Sequence, residues 1–102
     1  MGSESNRRTD FLHDFGGIVL NLSEANYSKI WENLAALDRA IAFLGRSKGQ
    51  VYGRLTEVDK REIEEKIREI RRNSGATQPH DKIADYLKNF LETRKGMQGV
   101  WS

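Results

Sequence analysis

The sequence predicts an all-α fold, one small domain of four helices, and three observations predict it. Apolar residues recur at three- and four-residue intervals in four separate stretches. Residues suited to starting and stopping helices fall between those stretches. The chain has 102 residues, one proline and no cysteine, which fits a single domain and excludes a disulfide framework. Helices are expected near 10–22, 24–44, 57–72 and 80–95. They form one domain over 9–96, with a disordered leader over 1–8 and a C-terminal tail over 97–102.

The first helix rests on Phe11, Leu12, Phe15, Ile18, Val19 and Leu22, which share one stripe. Gly16 and Gly17 oppose it, each costing about 1 kcal/mol relative to alanine. The competing reading is a strand through 17–22. Helix is favoured because the stripe starts before the glycines and keeps its phase across them.

In the second helix, Ser23 or Asn21 is the expected cap. Tyr27, Ile30, Trp31, Leu34, Leu37, Ile41 and Leu44 make its main face, and Gly45 ends it. Ala36, Ala40 and Phe43 form a second seam on another side. A helix with two apolar sides is central in its bundle or shared with a partner, so this helix is expected at the centre.

Residues 45–55 contain three glycines and read as a loop. Thr56 is the expected cap of the third helix, with Glu57 and Asp59 in the first turn where the helix dipole favours acids. Its stripe is narrow: Val58, Ile63, Ile67 and Ile70. The expected surface pairs are Arg61–Glu65, Glu62–Lys66 and Glu64–Arg68, each worth about 0.2–0.5 kcal/mol. Asn73, Ser74 and Gly75 stop this helix. The fourth carries Ile83, Tyr86, Leu87, Phe90 and Leu91 and ends near Gly96.

Seventeen bases against fifteen acids give a formal charge of +2, unevenly placed. Residues 11–45 hold four acids and two bases, whereas 46–55 hold Arg46, Lys48 and Arg54 and no acid. Residues 56–75 hold six of each sign. No apolar run approaches the roughly 18 residues of a membrane span, and Met1–Asp10 lacks the apolar stretch of a signal peptide. Asn6 stands where a myristoylation signal needs Ser or Thr. These features point to a cytoplasmic, intracellular protein without a membrane partner.

Evidence for chemistry is sparse. The dipeptides His13-Asp14 and His80-Asp81 could in principle ligate a metal or act as a general base. Nothing in their spacing brings them together, and His80-Asp81 suits a helix start. No catalytic residue, metal site or cofactor is therefore expected, and the protein is not read as an enzyme. In the loop, Arg46, Lys48, Tyr52 and Arg54 are candidate anion or nucleic-acid contacts, since glycines allow close backbone approach and Tyr52 could stack on a base. A Walker A pattern is absent.

Aromatics outside the main stripes direct the main expectation. Phe43 lies off the main stripe of its helix and Trp101 lies in the tail, and aromatic residues are enriched at protein interfaces. Phe43, Ala36, Ala40 and Trp101 are thus the candidate protein-interface residues. Burial of Trp101 on its own bundle is the competing reading. The expectation is a non-enzymatic interaction or regulatory protein that binds another protein, itself or both, as a homo-oligomer that could intertwine, with a homodimer the simplest case. The alternative is a small nucleic-acid-associated protein using the loop over 46–54.

Overall fold

The computed structural model of the chain describes residues 4–24, 29–47, 49–75 and 79–101. Among the described residues there are four α-helices and no strand: α1 (Glu4–Glu24), α2 (Ile30–Ser47), α3 (Glu57–Ser74) and α4 (His80–Arg94). None of these helices is long and apolar enough to cross a membrane. The all-α, four-helix expectation holds, with differences at the boundaries.

Helix α1 starts at Glu4, inside the stretch expected to be a leader through residue 8. Phe11, Phe15, Ile18, Val19 and Leu22 are buried, while Gly16, Gly17 and Leu20 face solvent. That burial has helical phase, and a strand over 17–22 would instead bury alternate residues. Ser23 and Asn21, expected to cap the second helix, both belong to α1. The Ser23 hydroxyl donates to the Leu20 carbonyl at 2.8 Å. Serine can satisfy itself in this way inside a helix, so its presence did not require a cap. The second helix accordingly begins at Ile30 rather than near 24, and Tyr27 lies outside the described residues.

Along α2, Ile30, Leu34, Leu37, Ile41 and Leu44 are buried, matching the expected main face. Trp31 is half-buried and donates its indole N–H to Glu64 Oε1 of α3 at 3.1 Å. The helix runs on to Ser47, so Gly45 does not end it. Gly45 is needed for a different reason. The Gln50 N–H returns to the Gly45 carbonyl at 2.8 Å, and a Cβ on Gly45 would lie 2.9 Å from the Gln50 carbonyl oxygen. Only glycine lets the loop close that tightly.

The start of α3 is the expected one. Thr56 Oγ1 accepts from the Asp59 N–H at 3.1 Å, and Asp59 Oδ2 accepts from the Thr56 N–H at 3.0 Å. Together they satisfy two donors at the helix start reciprocally. Ile63 and Ile67 are buried and Ile70 packs against the core, but Val58 is exposed. Val58 lies five positions before Ile63, which puts it off the buried stripe. Of the expected surface pairs, Glu64–Arg68 forms at 2.9 Å. Arg61 instead meets Glu57 at 4.0 Å, Lys66 meets Glu69 at 3.7 Å, and Glu62 reaches across to Arg94 of α4. Gly75 ends α3 with φ of 60°.

Helix α4 buries Ile83, Leu87, Phe90 and Leu91. Beyond it the chain turns back. The Met97 N–H bonds to the Leu91 carbonyl at 3.2 Å, and Met97 and Val100 are buried. Arg8 Nε of α1 donates to the Val100 carbonyl at 2.7 Å. Residues 97–101 are thus a clasp across α1. Helix α1 packs chiefly against α2 and α4, and α2 packs against α1 and α3, so α1 and α2 share the central position expected for α2 alone.

Candidate functional site

The sequence-derived candidates divide between two regions. One is a closed junction where the loop after α2 meets α3 and the end of α4. Asp38 of α2 accepts from Arg54 through both oxygens, at 2.9 and 2.7 Å, and also from the Leu55 N–H at 2.8 Å. Partial burial pushes the Asp38 carboxyl up. Hydrogen bonds from Arg54 and Leu55, with the charges of Arg54 and Lys60, outweigh it and hold the group below its ordinary value. The same pairing raises Arg54.

Lys95 closes the other side of that junction. Its ammonium pairs with Asp59 and donates to the Arg54 carbonyl at 2.9 Å, while its own carbonyl accepts from the Gly53 N–H at 3.0 Å. The two side chains of the Lys95–Asp59 pair are only 11% and 16% exposed. Burial raises the Asp59 carboxyl, but Lys95 and the Thr56 N–H lower it further, leaving it below the usual range. Arg54 therefore serves the fold rather than a free anion. Tyr52 is half-buried and packs against the core. Arg46 is exposed, and Lys48 lies outside the described residues.

The second region is an open groove of about 1160 Å³ between α1, α2 and the loop. Helix α1 contributes Asp10, His13, Asp14, Gly17 and Asn21; helix α2 contributes Asn33, Ala36, Arg39, Ala40, Phe43 and Arg46. On α1 the spacing of Asp10, Asp14, Gly17 and Asn21 is that of one helical face, as is that of Ala36, Ala40 and Phe43 on α2. Asn21 Nδ2 donates to Asn33 Oδ1 at 3.3 Å at one end. The small side chains of Gly17, Ala36 and Ala40 leave the seam shallow. Phe43, 47% exposed, and Val51, fully exposed, add apolar surface beside it.

Three of the four expected interface residues, Ala36, Ala40 and Phe43, thus come together in one groove with Arg46, Tyr52 and Arg54. Trp101 does not join them. It packs edge-on against Phe15 at 5.5 Å and Phe11 at 6.1 Å, the competing reading of the sequence. Its indole N–H has no hydrogen-bond partner among the described residues. Sequence reasoning missed the α1 wall, although Asp10, Asp14, Gly17 and Asn21 already carry helical spacing on the polar side of the α1 stripe.

The two His-Asp dipeptides have different settings. His13 and Asp14 line the groove. His80 opens α4 after Pro79 with its Nε2 3.2 Å from Asp81 Oδ1; no side chain caps this start, and Asp81 lies in the first turn, where the helix dipole favours an acid. Among the described residues no group of three or more His, Asp or Glu side chains could hold a metal ion. Neither family models, nor curated proteins, nor solved structures give a match to this chain.

Proposed function

We propose that this chain is a non-enzymatic interaction and regulatory protein that acts through protein–protein contacts, including self-association, made at the α1–α2 groove. The observation that carries this reading is the groove itself, with a seam of small residues beside the half-exposed Phe43. Aromatic side chains next to a shallow apolar seam suit the side of a partner helix, which would bury Phe43 and extend along both walls. Commitment of Arg54 to Asp38 leaves the loop a weaker anion site than its sequence suggests.

Ala40→Trp, which fills the seam, supplies the test. Wild-type protein used as bait is expected to capture a protein that mass spectrometry identifies, or a second copy of itself. Purified, that partner should rebind the wild type and not the folded variant. Equal binding by the two, or none by either, removes the reading.

A further inference from the structure

We infer that the occupant of the groove is a second copy of this chain, docked about a two-fold axis that runs along the groove. This rests on the interaction reading above and adds the identity and orientation of the partner. The two walls are complementary in charge. The α1 wall carries Asp10 and Asp14, and the α2 wall carries Arg39 and Arg46. All four are exposed, and none forms an ion pair among the described residues.

Register makes these charges self-complementary. Helices α1 and α2 are antiparallel and level at Asn21 and Asn33, which share a hydrogen bond. Equal rise along both helices puts Asp14 level with Ala40, beside Arg39. It likewise puts Asp10 level with Leu44, two residues from Arg46. A two-fold axis along the groove exchanges the walls and preserves height. It therefore sets the acidic α1 wall of each copy over the basic α2 wall of the other, with Asp14 near Arg39 and Asp10 near Arg46 of the second copy.

The same rotation turns the two seams of Gly17, Ala36 and Ala40 toward each other and brings both Phe43 rings into the contact. An isologous interface requires such a self-complementary patch. A partner of one sign, such as an acidic peptide or a nucleic acid, would match one wall and be repelled by the other. Apolar contact supplies the affinity, and the four charges fix orientation.

Two charge-reversed variants of the full chain test the pairing: Asp10→Arg with Asp14→Arg, and Arg39→Asp with Arg46→Asp. Wild type should dimerise in a concentration series by sedimentation equilibrium. Each variant alone, with circular dichroism verifying its helix content, should associate at least about tenfold more weakly, because each places like charges opposite one another. An equal mixture should recover association as a heterodimer, since the basic walls of one variant then face the acidic walls of the other. A wild-type chain monomeric throughout, a dimer indifferent to both reversals, or a mixture without recovery overturns the inference. A monomer that captures a different protein, sensitive to Ala40→Trp, overturns the second copy and leaves the interaction reading standing. Absence of both kinds of binding removes both.

Discussion

The two sides of α2 use charge in opposite ways. Toward α3 and α4, Asp38 accepts three hydrogen bonds and Lys95 ties Asp59 to the Arg54 carbonyl. Toward α1, Arg39 and Arg46 share an open groove with Asp10 and Asp14, and none of the four pairs among the described residues. The first arrangement is a closed junction that holds a glycine-containing loop against two helices. The second leaves both signs of charge available beside exposed apolar surface. Proximity in sequence explains neither. What differs is whether a second element arrives to cover the charge: the loop and the end of α4 do so on one side, and none of the described residues does so on the other.

The largest expected effect is in the clasp that follows Lys95 of the closed junction and lies across α1. Met97 is fully buried, so Met97→Ala should destabilise the fold by about 2–4 kcal/mol in urea titration. A loss below about 1 kcal/mol would mean that residues 97–101 are an appendage. Asp38→Asn comes next. It weakens the charge-assisted bonds from Arg54 and Leu55 and should cost about 2 kcal/mol.

The same residue carries a pH signature. The folded carboxyls of Asp38 and Asp59 lie below their ordinary values, so the unfolded chain takes up their protons first as the solution is acidified. Their contribution is complete above the ordinary carboxylate range, from about pH 5 upward. It is lost as the pH falls through about 4 and below. Stability measured from pH 6 to pH 2 should decline less steeply in Asp38→Asn and Asp59→Asn than in wild type. Unchanged slopes would break the assignment.

Smaller effects separate packing from polarity in the clasp and probe the open face. Trp101→Ala should lose about 1–3 kcal/mol of aromatic contact with Phe11 and Phe15. Trp101→Phe should lose under about 1 kcal/mol, because it also removes the unpartnered indole donor. If both variants lost equally, ring contact would not be the source of stability. Smallest is Gly16→Ala on the exposed face of α1, where an added Cβ meets nothing within 4 Å. It should raise stability by about 0.5–1 kcal/mol. A loss there would indicate that the backbone at Gly16 departs from ordinary helix.

Much of the fold was legible in the sequence because amphipathic periodicity is a local property. Five of the six expected stripe residues of α1 are buried, despite two glycines in the helix interior, since propensity is weaker than burial of a continuous apolar face. The Thr56–Asp59 cap was likewise readable over four residues. The boundary between α1 and α2 was not, because Ser23 bonds back into α1 as readily as it would cap a new helix. Half of the groove could be anticipated from Ala36, Ala40 and Phe43. Its acidic wall could not, because Asp10 and Asp14 read simply as solvent-facing residues until α2 lay beside them.

By itself, then, the sequence determined four amphipathic helices, the start of α3, the glycine-containing loop and the apolar seam on α2. These follow from residue spacing and local hydrogen bonding, which act within a few turns of chain. Only the tertiary structure decided that α1 shares the centre with α2, that Trp101 closes on Phe11 and Phe15, and that Arg54 serves Asp38. It also decided that the unpaired acids and bases share one groove. Each of these depends on which surfaces meet across 16 or more residues of sequence. Such meetings are set by how several helix faces bury together, a collective outcome that no single stretch of the chain specifies.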